Sequence, residues 1–138
     1  MLTARDIMTE DVIYVTRETP IRTAVELLIE HDISGIPVVE DGMNLVGIIS
    51  ERDVLRLFGA FEDVEGKTVS EFMTQPAVFF EECESVSDVC KCLADYYFRR
   101  VPVTSRGRLV GIVSRKDIIR SMLETDLQIA AASEETTC

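Results

Sequence analysis

Two short runs place a hydroxyl and an acid at one spacing, Ser50-x-x-Asp53 and Ser114-x-x-Asp117, each ahead of an apolar periodic segment. A serine followed three residues later by an acid is a helix-start signature, in which the side chains satisfy free N–H groups of the first turn. That reading explains the serines well and the aspartates less completely, because Glu and Gln are the residues that usually reach back. An acid at a helix start has a second use, accepting hydrogen bonds from the vicinal hydroxyls of a ribose. On the residues alone both readings stand. Arg99-Arg100, directly before Val101-Pro102, is a further candidate, since guanidinium groups offer forked, charge-assisted bonds to phosphate. A solvated pair balancing an acidic protein is the alternative. Lys116, beside Asp117, is a weaker phosphate candidate.

Catalytic chemistry finds no support in the residue pattern. There is no activated nucleophile, no metal cluster, no glycine-rich phosphate loop and no acid–base pair of interpretable spacing, so the chain is not expected to be an enzyme. His31, the only histidine, falls at the end of a predicted helix, where the helix dipole is sufficient reason for it. Cys83, Cys90, Cys92 and Cys138 lack the spacing of a disulfide framework and are expected to be reduced thiols. Cys90 and Cys92 stand two apart on a predicted helix, point to different faces and are poorly placed to chelate one metal.

The elements that position these residues occur twice. Met8-Thr9 returns as Met73-Thr74, Leu28 as Leu93, and Pro37-Val38 as Pro102-Val103, all at a shift of 65. Beyond the turn the shift is 64, so that Leu45 to Asp53 matches Leu109 to Asp117 and Arg56 matches Arg120. One residue has been lost or gained in the turn, where the backbone tolerates it best. Each copy reads as a short helical turn, an extended stretch (Val12 to Val15, Ala77 to Phe80), an amphipathic helix, two hairpin strands and a second helix. The first helix is marked by Ile21, Ala24, Val25 and Leu28, and by Val86, Val89, Cys90 and Leu93, at i, i+3, i+4 and i+7. The hairpin strands are predicted at Ile36 to Val39 with Leu45 to Ile49, and at Val101 to Thr104 with Leu109 to Val113.

A unit of about 55 residues is marginal alone, so the two copies are expected to share a core. The 138 residues include 14 basic and 25 acidic side chains, a formal net charge of -11. That balance argues against a general nucleic-acid binder and against an anionic membrane surface. No apolar run approaches the roughly 20 residues that span a bilayer, and Leu2 to Asp6 carries no apolar signal region, so a cytoplasmic location is expected. The charge is unevenly placed. Residues 1–66 hold 5 basic and 14 acidic side chains, residues 67–138 hold 9 and 11, and seven basic residues lie between Arg99 and Arg120.

A Met-Thr near the start, a hydrophobic-Pro-Val strand, then Gly-hydrophobic-hydrophobic-Ser-x-x-Asp opening a helix, all repeated once, resembles a tandem pair of CBS (cystathionine-beta-synthase) domains, a Bateman-type regulatory module. The resemblance implies an α+β fold of two βαββα repeats packed by pseudo-twofold symmetry. Its boundaries are residues 1–60 for repeat 1, 61–68 for a linker, 69–124 for repeat 2, and 125–138 for a helical extension and frayed tail. It implies a non-catalytic signal-sensing module with no cofactor, whose regulatory ligand is AMP, ADP, ATP or S-adenosylmethionine, bound in the cleft between repeats. A homodimer and a partner enzyme or transporter are further implied. A ligand-free scaffold or dimerisation module is the alternative. By the same resemblance, one site combines Asp11, Ile13, Ser34, Gly35, Ile36 and Pro37 with Ser114, Lys116 and Asp117. The other combines Pro76, Val78, Arg99, Arg100, Val101 and Pro102 with Ser50, Arg52 and Asp53. Extended backbone at Ile13 or Val78 reads the adenine edge while apolar side chains sandwich the ring; ordinary core packing is the alternative for each apolar residue. Tyr96-Tyr97-Phe98 is expected to support the pocket or to pack in the core or a dimer contact.

Overall fold

The structure is a computed structural model and describes residues 2–60, 63–95 and 99–124. The expectations for Tyr96 to Phe98 and for the tail from Thr125 fall outside the described residues. In chain order the elements are α1 (Ala4–Ile7), β1 (Val15–Thr16), α2 (Ile21–Glu30), β2 (Gly35–Glu40), β3 (Asn44–Ser50), α3 (Glu51–Gly59), β4 (Phe80–Glu81), α4 (Val86–Asp95), β5 (Arg100–Ser105), β6 (Arg108–Ser114) and α5 (Arg115–Glu124). Single 3-10 turns lie at Asp41–Met43 and Val69–Glu71. The βαββα order is present twice, and the fold is α+β.

The chain forms two compact units, and they do not coincide with the sequence repeats. One is continuous, Ile13–Ala77; the other joins Met1–Val12 to the chain from Val78. In the 13–77 unit β1 runs parallel to β2, with Val15 opposite Val38, and β2 pairs antiparallel with β3. The other unit repeats this, with Phe80 opposite Val103 and β5 antiparallel to β6. A bulge interrupts the hairpin at the equivalent place each time, at Val38/Val39 and at Val103/Thr104. The turns differ by the residue that changes the repeat shift. Asp41–Met43 joins β2 to β3, whereas Arg106-Gly107 joins β5 to β6 with both φ positive, at 54° and 81°. Two left-handed residues are the geometry that a two-residue hairpin loop requires.

The first strands are shorter than the apolar stretches suggest. Only Val15–Thr16 and Phe80–Glu81 pair, because β2 and β5 offer partners over two positions each, and Tyr14 and Phe79 are about half exposed. Helical periodicity is a better guide: Ile21, Ala24 and Leu28 are buried on α2, and Val86, Val89 and Leu93 on α4.

Each core is closed by a segment that precedes the other repeat in sequence. Val69 is fully buried among Val15, Ile21, Ile36, Val38 and Ile49, with Phe72 and Met73 packed alongside. Ala4 is likewise buried among Phe80, Val89, Val101, Val103 and Val113, with Ile7 and Met8 alongside. Hydrogen bonds fix these segments in place: the Ile21 N–H donates to Lys67 O and the Val69 N–H to Thr19 O, while the Ala4 N–H donates to Glu84 O and the Val86 N–H to Leu2 O. Cys90 and Cys92 are free thiols, but Cys83 takes part in a disulfide, which corrects the expectation of reduced cysteines throughout.

Candidate functional site

The two Ser-x-x-Asp runs form the same constellation in both units. Ser50 is extended, with φ -121° and ψ 168°, and caps α3. The Ser50 N–H and hydroxyl both donate to Asp53 Oδ2, at 2.9 and 3.0 Å, and Ser50 Oγ accepts from the Asp53 N–H at 3.3 Å. At the start of α5 the Ser114 N–H and hydroxyl donate to Asp117 Oδ2 at 2.7 and 3.0 Å, and Ser114 Oγ accepts from the Asp117 N–H at 3.2 Å. The aspartates thus complete a full capping box, and the shorter acid serves where Glu or Gln was expected. Both helices therefore begin two residues earlier than the aspartates, at Glu51 and Arg115.

Capping consumes one carboxylate oxygen, Oδ2, and leaves Oδ1 to other partners. Asp53 and Asp117 are only 4% and 6% exposed. Asp53 Oδ1 accepts from the Thr74 hydroxyl at 3.0 Å, with Arg56 Nη1 at 3.8 Å. Asp117 Oδ1 accepts from the Thr9 hydroxyl at 3.2 Å and from Arg120 Nη1 at 3.3 Å. Neither threonine belongs to the candidate set read from the sequence. The signal was present, because Met8-Thr9 and Met73-Thr74 mark the repeats, but nothing local shows that each threonine meets an acid 21 or 108 residues away.

The approach of these threonines depends on glycine. The Ile48 N–H donates to Thr74 O at 2.9 Å and the Thr74 N–H to Ile48 O at 2.8 Å; Thr9 and Ile112 exchange the equivalent bonds at 2.8 and 2.9 Å. A Cβ on Gly47 would lie 2.7 Å from Thr74 O, and one on Gly111 would collide with the Met8 side chain. The glycine of each Gly-hydrophobic-hydrophobic-Ser run is thus required by a close approach, not by a turn.

The strand pairing groups the remaining candidates. Gly35 lies opposite Ser50, and Ser34 O accepts from the Glu51 N–H, so Ser34, Gly35, Ile36 and Pro37 run beside the Asp53 constellation. Arg100 lies opposite Ser114, and Arg99 O accepts from the Arg115 N–H, so Arg99, Arg100, Val101 and Pro102 run beside Asp117. The sites implied by the resemblance join each of these strands to the acid of the other repeat, and the hairpin pairing is a separate contact within one unit. Ile36, Pro37, Val101 and Pro102 are buried as core, while Arg52, Arg99 and Lys116 are exposed and Arg100 is half-buried. Ile13 and Pro76 belong to the 13–77 unit, and Asp11 and Val78 to the other. Among the described residues, no group of three or more His, Cys, Asp or Glu side chains is placed to hold a metal ion, and no helix is long and apolar enough to cross a membrane.

Comparison with known proteins agrees with this architecture. The protein MJ1225 of Methanocaldococcus jannaschii is 34% identical over 116 residues, covering 84% of this chain and 41% of its own length. The chain spans less than two thirds of the first curated relatives it matches. CBSX2 of Arabidopsis thaliana, solved in complex with AMP, is 31% identical with a TM-score of 0.80, covering 90% of this chain and 98% of that one. The CBS domain pair of MJ0100, solved with 5'-methylthioadenosine and S-adenosyl-L-methionine, is 30% identical with a TM-score of 0.75, over 90% and 98% of the two chains. The CBS domain itself matches residues 4–60 and again residues 69–124, and the chain belongs to the CBS domain family, carrying the domain twice.

Proposed function

We propose that this chain is a non-catalytic regulatory module that binds an adenosine nucleotide or S-adenosylmethionine. The observation that carries the proposal is the pair of buried aspartates beside a hairpin strand, each with Oδ2 committed to its helix cap and Oδ1 met by a threonine hydroxyl. Oδ1, which the cap does not use, suits a ribose hydroxyl. The AMP in CBSX2 and the adenosyl compounds in MJ0100 support the same ligand class.

The two acids differ in their neighbours. Beside Asp117 stand Arg99, Arg100 and Lys116; beside Asp53 stand Ser34 and Gly35, with Arg52 on the helix. Phosphate therefore belongs on the Asp117 side, where guanidinium forks are available. Ile13 and Val78, with Asp11 and Pro76 close by in sequence, offer backbone N–H and C=O groups for an adenine edge. Binding acts by linkage: a ligand that prefers one arrangement of the repeats shifts the population toward it, and a partner reads the change.

At about 100 times its dissociation constant a ligand adds roughly 2.7 kcal/mol to stability. For a chain of this size that raises Tm by on the order of 5 to 10 °C. AMP, ATP and S-adenosylmethionine, each at millimolar concentration, test this by thermal melting; a Tm unmoved by all three defeats the reading. Arg100→Ala is expected to weaken AMP more than adenosine.

A second reading, a dimerisation or docking scaffold, rests on the outer faces of α3 and α5. Leu55 and Phe58 on α3, and Ile119, Met122 and Leu123 on α5, are all exposed. Native mass spectrometry of the freshly purified protein separates the two readings, since it shows a copurified nucleotide and the subunit number together.

A further inference from the structure

We propose that Thr9 and Thr74 are positioning residues, each pinning the plane of a carboxylate so that its Oδ1 meets a ribose hydroxyl. This inference rests on the nucleotide-binding reading above. The need for such a residue follows from carboxylate geometry. The terminal torsion of an aspartate is broad and roughly two-fold, so a capping box that holds Oδ2 alone leaves the carboxylate free to rock. A donor on Oδ1 removes that freedom. Thr74 supplies it to Asp53 at 3.0 Å and Thr9 to Asp117 at 3.2 Å. Oδ1 has about two acceptor directions. The threonine takes one and thereby sets the direction of the other, which at Asp117 Arg120 meets at 3.3 Å.

The arginines are poor substitutes for this task. Arg56 Nη1 stands 3.8 Å from Asp53 Oδ1, beyond hydrogen-bonding distance; Arg120 Nη1 reaches Asp117 Oδ1 at 3.3 Å, but the Arg56 and Arg120 side chains are 72% and 62% exposed and hold no fixed geometry. The threonine backbones, in contrast, are locked: each exchanges two hydrogen bonds with the strand leading into the capped helix, where Thr74 lies against Gly47 and Met8, next to Thr9, lies against Gly111. The arrangement occurs twice, in units whose neighbouring side chains differ as much as Ser34-Gly35 from Arg99-Arg100. Two independent settings that retain the same threonine, glycine and acid point to a shared task at the acid.

Each threonine also stands near the point where the chain passes from one unit to the other. Three residues separate Thr9 from Ile13, the first residue of the 13–77 unit, and three separate Thr74 from Val78. The segment that orients the acid of one unit is therefore the segment that enters the other. Occupancy of the acid and docking of this strap become one coupled equilibrium.

The test compares adenosine with 2',3'-dideoxyadenosine by calorimetry on the full chain, for the wild type, Thr9→Val and Thr74→Val, singly and together, with Thr→Ser at each position as rescue. The ratio of the two affinities reads the acid–diol contact, and general loosening of the site lowers both affinities and leaves the ratio. Loss of a hydrogen bond to a charged group sets the scale, so the ratio in the double Val variant is expected to fall about tenfold, with Ser restoring most of it. An unchanged ratio in the folded Val variants, beside a wild type that discriminates, overturns the positioning role while leaving nucleotide binding intact. A wild type that binds neither compound overturns the nucleotide reading itself, and this inference with it.

Discussion

Gly47→Ala is the substitution with the most specific expectation. Its Cβ would lie 2.7 Å from Thr74 O and 3.1 Å from Met73 Sδ, and the first neighbour is backbone, which cannot swing aside. Restoring an ordinary carbon–oxygen contact of about 3.3 Å requires the strap to retreat by roughly 0.6 Å. The retreat stretches both bonds between Ile48 and Thr74, and with them the Thr74 bond to Asp53. Two backbone hydrogen bonds at about 1 kcal/mol net each, with some overpacking strain, make the expected loss about 2 to 3 kcal/mol. At about 3 to 4 °C per kcal/mol for a chain of this length, Tm falls by roughly 7 to 10 °C. The nearest neighbours of a Cβ on Gly111 are side-chain atoms of Met8, which can repack where backbone cannot, so Gly111→Ala is expected to cost less. Gly59→Ala meets nothing within 4 Å at the end of α3 and is expected to be neutral or to stabilise by up to about 1 kcal/mol. Differential scanning calorimetry on the three single variants gives the order directly. A Gly47→Ala protein that melts with the wild type refutes the close-approach account, because the whole expected loss is assigned to the strap contact.

Asp53→Ala and Asp117→Ala are each expected to destabilise by about 2 to 4 kcal/mol, since either change leaves a serine N–H, a serine hydroxyl and a threonine hydroxyl without their acceptor. Each is also expected to abolish nucleotide binding at one site only, and titration calorimetry showing unchanged affinity in both reduces the acids to helix caps. The thiols make a pH prediction. Burial raises the pKa of Cys90, and burial with the nearby Asp95 and Glu84 raises that of Cys92, above the ordinary 9.0. Both thiols are therefore expected to alkylate more slowly than free cysteine at pH 7.5. Because the folded chain holds these protons above the pH at which the unfolded chain releases them, their contribution to stability is present below about pH 9 and is lost on going higher. Either thiol reacting faster than free cysteine contradicts this.

How much was legible in the sequence depends on the range over which each feature is decided. The helical periodicity of α2 and α4, the hairpins and the lost turn residue are local, and the apolar spacing and Arg106-Gly107 carry them. The caps at Ser50 and Ser114 are local too. The threonine partners of the aspartates are not, because a bond across 108 residues leaves no trace in the pattern around Asp117. The short β1 and β4 were hidden for a related reason: Val12 to Val15 and Ala77 to Phe80 are apolar enough for strands, yet the partner strands receive only two residues of each.

The exchange of segments changes what a repeat is. A repeat drawn from sequence similarity contains its helices and hairpin but lacks the apolar plug that closes its core. The plug for the 13–77 unit is Val69 with Phe72 and Met73, and the plug for the other is Ala4 with Ile7 and Met8. Val69 and Ala4 have no exposed surface, so each is a full core position and not a decoration of one. A unit of this size buries a smaller share of its surface than a larger domain does, and the loss of even one such position is a large share of its stability. The pieces cannot be rearranged without cost, because the residues that close each core also carry the threonine that orients its acid. Stability and the candidate site thus depend on the same short segments: an event that loosens residues 69–74 opens the hydrophobic core of the 13–77 unit and frees Asp53 together, and one at residues 4–9 does the same for Asp117. Coupling of that kind is what a sensor requires, since a ligand that orders the acid must also order the strap, and each strap continues directly into the other unit.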